Sequence, residues 1–293
     1  MTAAHQPSIL LPPAAYGRSL TLRLIPGHDA TAALARLAAG FDPAWGAIGL
    51  GAPLVAAAGI EVPGLRPFPT LAAAVAVPST QADAWIGLRG ADRTEVFDRG
   101  EAVAALIADD FAIVDSRELF LYAGGRDLTG YEDGTANPPP DEAEAVAICG
   151  TDTPRPGSSF LAVQRWVHDL AAFRRHSADE RDAIVGRRLA DNEEIEEAPE
   201  SAHVKRTAQE LYEPEAFMVR RSMPFADAGE RGLEFVSYCR TLDAFERMLK
   251  HMAGLDDGIV DALFGFSRPV TGGYYWCPPL RAGRLDLGSP PSR

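Results

Sequence analysis

One short segment of the chain, residues 130–142, combines acidic residues, glycines and prolines in a pattern that suits chemistry. It reads GYEDGTANPPPDE. Asp133 precedes Gly134, and an Asp-Gly pair is typical of a turn, so one interpretation is a plain surface loop. The glycines also permit close approach of the backbone to a ligand, and the prolines at 138–140 stiffen the exit from the loop. The combination favours a carboxylate that is held in place for acid–base work.

A second group that is able to do chemistry is a pair of consecutive arginines, Arg220 and Arg221, in the strand-like stretch EAFMVRRSMPF. Neighbours in a strand point to opposite faces, so one guanidinium faces inward if the other faces solvent. A buried arginine needs an anionic partner or a ligand. Ser222 lies two residues after Arg220 and shares its face. The alternative is an edge strand with both arginines in water.

Among six histidines, His203 has the most distinctive surroundings. It follows the acidic run DNEEIEEAPESA and precedes Lys205 and Arg206. The sequence contains no HxH or HExxH spacing, so a zinc site with two histidines on one element is not supported. We interpret the other histidines as solvated or partly buried side chains, and place His168 in a helical segment.

Composition and charge exclude several classes of function. The chain has 293 residues and a formal net charge of -13, which disfavours a nucleic-acid partner. No GxSxG, Walker A or GxGxxG motif is present. The three scattered cysteines fit a reducing compartment. Because the sequence shows no signal-peptide pattern and no run of 18 apolar residues, we expect a cytoplasmic protein without a membrane partner.

The order of predicted elements repeats along the chain. Each half reads strand, helix, strand, strand, helix, strand, which is the split βαβ order of ferredoxin-like units. We therefore expect an α+β fold made of two ferredoxin-like domains, each an antiparallel sheet flanked by helices. The expected boundaries are residues 1–140, which include the loop with Asp133, and residues 141–293. Proline, glycine and acidic residues fill the connection between the halves, residues 124–157.

Four motifs taken together resemble the dye-decolorising peroxidases, and most closely their bacterial cytoplasmic B-type group. They are GYEDGTANP, AHVKRT, FMVRRSMPF and DGIVDALFGFSRPVTGGYYWCPP, in this order. The resemblance extends over residues 20–279. It implies two ferredoxin-like domains, with haem b (iron protoporphyrin IX) bound in the second.

On the proximal side of the haem, the resemblance implies that His203 coordinates the iron through Nε2. Asp261 matches the carboxylate that accepts the proton of the imidazole Nδ1, and Asp257 is the alternative. Such a carboxylate raises the basicity of the ligand. Arg206 lies near His203 in sequence and is the expected partner of a haem propionate.

On the distal side, Asp133 matches the carboxylate of the GxxDG motif and Arg220 the distal arginine. Ser222 falls where many relatives carry asparagine or serine, and Asn137 is expected to line the same loop. A fixed carboxylate can move the proton of hydrogen peroxide, while a guanidinium can stabilise the negative charge that develops on it.

The function that the resemblance implies is a haem peroxidase that reduces hydrogen peroxide through a ferryl intermediate and oxidises dyes, phenolics or other one-electron donors. The alternatives are porphyrinogen oxidation or iron release, and a non-catalytic haem carrier. Asp133 and Arg220 together favour catalysis, since carriage needs neither. The resemblance also implies a homo-oligomer. The C-terminal RLDLGSPPSR loosely resembles the tail by which some relatives dock into encapsulin shells; the alternative is a tail without a partner.

Overall fold

Strands and helices alternate through the first half of the chain, as the periodicity predicts. The computed structural model of the protein describes residues 4–72, 74–227 and 229–288. Asp29 and Asp92 begin α1 and α3, because their carboxylates accept hydrogen bonds from N–H groups of the first turn. The elements of this half are β1 (Tyr16–Leu24), α1 (Ala30–Gly40), β2 (Gly46–Gly51), α2 (Ala52–Ala57), β3 (Leu71–Ala72), β4 (Ala76–Val77), β5 (Ala84–Gly90), α3 (Arg93–Ile107), β6 (Phe111–Phe120) and α4 (Ala143–Ala147).

The second half has shorter α-helices and more loops than the first. The described residues include three short 3-10 helices: one before β1, at Pro7–Ile9, and two in the second half, at Gln209–Leu211 and Ala262–Gly265. The other elements of this half are β7 (Ser159–His168), α5 (Leu170–Arg175), α6 (Ala178–Val185), α7 (His203–Arg206), β8 (Val219–Arg220), β9 (Met223–Asp227), β10 (Glu230–Cys239), α8 (Leu242–Met252), β11 (Ser267–Pro269), β12 (Gly273–Cys277), β13 (Leu280–Arg281) and β14 (Arg284–Leu285).

The strand order in space is that of two ferredoxin-like units. In the first half the order is β6-β1-β5-β2, and in the second it is β12-β7-β10, with β8 and β9 both paired to β10. In each unit the fourth strand therefore lies beside the first, and the third lies between the first and second. All of these neighbours are antiparallel. The predicted fold class is confirmed, while the boundary at residues 140 and 141 stays a prediction.

The two sheets join into one curled sheet. Strands β2 and β12 pair along one edge of each unit, with Leu50 opposite Trp276. At the other side, Leu119 of β6 packs against Met223 and Phe225 of β9. The sheet thus curls until its outer strands meet, and one of its faces encloses an inner core.

A buried ionic network crosses this inner core. Arg165 donates from Nε to Glu234 Oε2 at 3.1 Å and from Nη2 to Asp115 Oδ2 at 2.5 Å. Ser19 donates to Glu234 Oε1 at 2.7 Å and accepts from the Trp85 indole at 2.8 Å. Because burial disfavours the charged form, the pKa of Glu234 is raised even though Arg165 opposes the shift. The network connects side chains of both halves.

The residues that follow β7 form two helices, α5 and α6, because Ser177 starts a new helix through a capping box with Glu180. The prediction that His168 lies in a helical segment was wrong, because His168 ends strand β7. None of the helices in the described ranges has the length and apolar content needed to cross a membrane. The last five residues of the predicted encapsulin tail lie outside the described residues.

Candidate active site

A cavity lies between the outer face of the second sheet and the segments that contain α7, α8 and the loop with Asp133. It encloses about 950 Å³ of space between protein atoms, part of it open to solvent. Leu233 and Phe235 line it, whereas Glu234 between them binds Arg165 on the opposite face of the sheet. Other apolar side chains in its wall are Trp166, Phe245, Met248, Leu249, Met252 and Leu263. Three predicted site residues also line it: Asp133, His203 and Arg220.

His203 stands at the first position of the short helix α7 and is held by a carboxylate. Its Nδ1 donates a hydrogen bond to Asp261 Oδ2 at 2.8 Å, so Nε2 of the neutral imidazole carries the free lone pair. Asp261 is only 1% exposed, and its other oxygen accepts from the Leu263 N–H at 2.8 Å. Burial lowers the pKa of His203, but the charge and the hydrogen bond of Asp261 outweigh this effect and raise it.

Asp257, the alternative to Asp261, has a different partner. Its two carboxylate oxygens each accept from Arg206 at 2.8 Å. Arg206 also donates to the backbone carbonyl of His251 at 2.7 Å, and it does not line the cavity. The structure therefore does not support the prediction that Arg206 binds a cofactor, since its guanidinium is occupied in an ion pair with Asp257.

Asp133 is placed by the loop that the glycines and prolines predicted. Its Oδ1 accepts a hydrogen bond from the N–H of Gly134 at 2.7 Å, and Gly134 has a φ of 76° that disfavours other residues. Removal from bulk water raises the pKa of Asp133, and the positive charge of Arg220 only partly opposes this shift. The carboxyl is thus both fixed in space and easier to protonate than an ordinary aspartate.

Arg220 brings to the cavity a guanidinium that has no hydrogen-bond partner among the described residues. Its Nε is buried and forms no hydrogen bond with the described residues. Burial lowers the pKa of Arg220, although Asp133 opposes the shift. Arg221 instead donates to the backbone carbonyls of Arg220 and Leu10, at 2.9 and 2.6 Å, and does not line the cavity. The two arginines therefore have separate environments, as strand geometry predicts.

Asn137 fastens the loop to strand β8 rather than lining the cavity. Its Oδ1 accepts from the N–H of Arg220 at 2.6 Å, and its Nδ2 donates to the carbonyl of Arg220 at 3.3 Å. Gln209 adds a second link, since its Nε2 donates to the Ala136 carbonyl at 2.7 Å. Asn137 is therefore a positioning residue that fixes Arg220 relative to Asp133.

Ser222 lies outside the wall of the cavity. Strand β8 ends at Arg220, and the Ser222 hydroxyl accepts a hydrogen bond from the Val236 N–H at 3.3 Å. The expectation that Ser222 shares a face with Arg220 assumed a continuous strand. Because β8 and β9 are separate, the structure does not support a catalytic role for Ser222.

Comparison with known proteins identifies the family. Residues 124–282 match the model of the C-terminal part of Dyp-type peroxidases. The chain is 31% identical to dye-decolorizing peroxidases of Mycolicibacterium paratuberculosis over 241 residues and of Mycobacterium tuberculosis over 236 residues. These matches cover 72% of the chain and 68% and 70% of the two relatives. The chain belongs to the dye-decolorising peroxidase family.

Solved structures of the family have the same fold. A DypB variant of Rhodococcus jostii RHA1 in complex with haem has a TM-score of 0.85 at 27% identity, covering 92% of this chain and 95% of that one. A dye-decolorizing protein from V. cholerae has a TM-score of 0.82 at 29% identity, covering 92% and 96%. The predicted family and the predicted enzyme class, a haem-dependent peroxidase, are confirmed. The B-type assignment stays a prediction.

Two residues of this dye-decolorising peroxidase cavity were missed from the sequence. Asp127 and His168 line the cavity, with Asp127 Oδ2 3.1 Å from His168 Nε2. The Ser267 hydroxyl lies 2.7 Å from His168 Nδ1. Burial raises the pKa of Asp127, but its hydrogen bond with His168 outweighs this and lowers it. The strand-like sequence of β7, in which FLAV and WV precede His168, was the available signal that this imidazole is buried.

Proposed function

We propose that this chain reduces hydrogen peroxide and oxidises dyes, phenolics or other one-electron donors at the cavity around His203. As a dye-decolorising peroxidase it uses haem as its cofactor. The observation that carries the proposal is that an imidazole, a carboxyl and a guanidinium line one largely apolar cavity, and that the buried Nε of this guanidinium has no partner among the described residues. The homo-oligomeric state and the cytoplasmic location stay predictions.

The residues of the cavity fit a haem. Apolar side chains form much of the wall, as is usual for sites that bind a large cofactor. His203 Nδ1 is fixed by Asp261, which leaves Nε2 as the iron ligand, the arrangement of peroxidases with a proximal histidine. The buried Nε of Arg220 has no partner among the described residues, as expected of a group that waits for a ligand. Bound haem would supply the iron that exchanges electrons with peroxide and reductant.

Asp133 and Arg220 have different roles in the reduction of peroxide. Reduction of one hydrogen peroxide to two water molecules breaks the O–O bond and consumes two protons and two electrons, and two one-electron donors supply the electrons. Asp133 takes a proton from one peroxide oxygen and returns it to the other. Its raised pKa brings this carboxyl closer to neutral pH, where proton transfer in both directions is efficient. Arg220 stabilises the negative charge on the departing oxygen.

These two residues also separate catalysis from haem carriage. A carrier needs the iron ligand and the apolar wall, but neither a carboxyl with raised pKa nor a guanidinium whose buried Nε lacks a partner among the described residues. Removing such groups from water costs free energy, which carriage does not require. We therefore do not propose carriage as a second function.

The test compares Arg220→Gln with Arg221→Gln, two neighbours of which only the first lines the cavity. We expect Arg220→Gln to keep the haem absorbance spectrum and to slow the reaction with peroxide by roughly 100- to 1,000-fold, as the loss of one positioned charge-stabilising donor does. Arg221→Gln should react at close to the wild-type rate. Stopped-flow absorbance of the haem-loaded enzyme measures both rates. Equal rates for the two variants would refute the proposed role of the cavity.

A further inference from the structure

A second cavity is lined by three arginines whose side chains have no partner in the described part of the chain. Most arginines of the described chain bond to a carboxylate, a hydroxyl or a backbone carbonyl. Arg174, Arg231 and Arg268 make no such bond to the described residues, and all three line one cavity at the end of strand β7. In a chain with a net charge of -13, this convergence of free positive charge needs an explanation.

The charge of this cavity favours an anion. It encloses about 1080 Å³ of space between protein atoms, part of it open to solvent. Among the described residues, Asp169 is the one carboxylate in its wall, and one of its oxygens accepts a hydrogen bond from the N–H of Ala172 at 2.8 Å. Three guanidinium groups therefore face one carboxylate. Guanidinium pairs well with carboxylate, sulfonate and phosphate oxygens because its N–H groups form a planar fork.

The second cavity adjoins the first. His168 and Phe266 line both. Phe264 lines the second cavity and packs against Trp166, which lines the first, with a distance of 5.2 Å between ring centroids. A molecule in the second cavity would thus be separated from the proposed haem site by the thickness of one aromatic side chain, and Phe264 offers it an aromatic surface.

We propose that the second cavity binds aromatic reductants that carry a carboxylate or sulfonate group. The guanidinium groups of Arg231 and Arg268 pair with the acidic group, and the aromatic ring packs on Phe264. A phenolic donor held there loses one electron toward the first cavity through Trp166 and releases its hydroxyl proton to solvent. This inference rests on the proposed function for the source of oxidising power, but binding itself does not.

The test uses two probes that differ in charge. The first is 4-hydroxybenzenesulfonate, and the second is its neutral analogue 4-hydroxybenzenesulfonamide. The variant is Arg231→Gln with Arg268→Gln. The matched control is Arg175→Gln, since Arg175 also has no partner among the described residues and neighbours Arg174, but does not line the cavity. Calorimetry of the haem-loaded enzyme without peroxide measures binding, and steady-state kinetics measure KM and kcat.

We expect the double variant to bind the sulfonate roughly tenfold more weakly, the loss that two partly screened charge-assisted bonds produce. Its KM for the sulfonate should rise by a similar factor, with kcat, the KM for peroxide and both constants for the sulfonamide unchanged. Arg175→Gln should behave like the wild type. A matching loss for the sulfonamide, or sulfonate binding that is the same in the double variant, would overturn the proposal.

Failure of the two proposals can be told apart. If the enzyme oxidises neither probe but the double variant still loses sulfonate binding, the anion site stands and the proposed function fails. If both probes are oxidised and sulfonate binding does not depend on Arg231 and Arg268, the proposed function stands and the anion site fails. Inorganic sulfate that binds as tightly as the sulfonate would overturn the part assigned to the aromatic ring.

Discussion

The bond between Asp261 and His203 can be tested by changing one atom. Asp261→Asn keeps the size of the side chain and an oxygen that can accept from the Leu263 N–H. It removes the charge that binds His203 Nδ1 at 2.8 Å. A hydrogen bond to a charged group contributes about 1.5–3 kcal/mol. Loss of a carboxylate behind a metal-ligating histidine weakens metal affinity by roughly 10- to 100-fold, which corresponds to about 1.4–2.8 kcal/mol. The two estimates agree.

The assay is transfer of haem from the enzyme to an excess of apomyoglobin, followed at the Soret band. We expect Asp261→Asn to release haem roughly 10- to 100-fold faster than the wild type. Asp257→Asn is the control, because Asp257 lies four residues away and pairs with Arg206 instead of His203. It should change thermal stability and leave the rate of haem release nearly unchanged. Faster release in Asp257→Asn than in Asp261→Asn would refute the assignment.

Three further sets of variants test the loop that contains Asn137, the carboxyl group of Asp133 and the ionic network of the inner core. Asn137→Ala removes two bonds to the Arg220 backbone, each contributing about 0.5–1.5 kcal/mol, so urea unfolding should show a loss of about 1–3 kcal/mol and peroxide should react more slowly at unchanged haem content. An unchanged unfolding midpoint would contradict this. The raised pKa of Asp133 means that the folded state holds its proton more tightly than the unfolded chain, so wild-type stability falls as pH rises from the ordinary aspartate range to the raised pKa. The Tm of Asp133→Asn minus the Tm of the wild type should therefore increase with pH over that range, and a difference that decreases with rising pH would contradict the sign. Arg165→Met leaves Glu234 without its ionic partner and should cost about 3–5 kcal/mol in urea unfolding, whereas adding Glu234→Met should restore part of the loss. An equal loss in the single and double variants would contradict the pairing.

Sequence patterns were most informative where local chemistry decides the structure. Asp29 caps α1, as aspartate commonly does at the start of a helix, and the Asp-Gly turn places Asp133 at the cavity. Arg220 and Arg221 have separate environments, as expected, although Arg221 lies beyond the end of β8. These features depend on the conformational preferences of a few adjacent residues, so they can be predicted from the sequence.

Assignments that depend on tertiary contacts could not be made from adjacent residues in the sequence. Asp257 and Asp261 flank the same turn, and only the path of the chain from α8 decides which of them reaches His203. Arg206 was predicted to bind a propionate because it lies close to His203 in sequence, yet the folded chain offers it Asp257 as a partner. His168 was placed in a helical segment among charged neighbours, whereas it ends β7, a strand that is buried along most of its length.

The inner core also shows that side chains can be in contact across a domain boundary predicted from the sequence. Glu234 belongs to the second half of the chain, but it accepts a hydrogen bond from Ser19 in the first. Arg165, likewise from the second half, shares its charge with Asp115 in the first. If the chain were cut between residues 140 and 141, the first fragment would contain Ser19 and Asp115 without their partners. The second fragment would contain Arg165 and Glu234 without Ser19 and Asp115. Each half therefore depends on the other to complete its interior, and the protein is expected to melt as one cooperative unit.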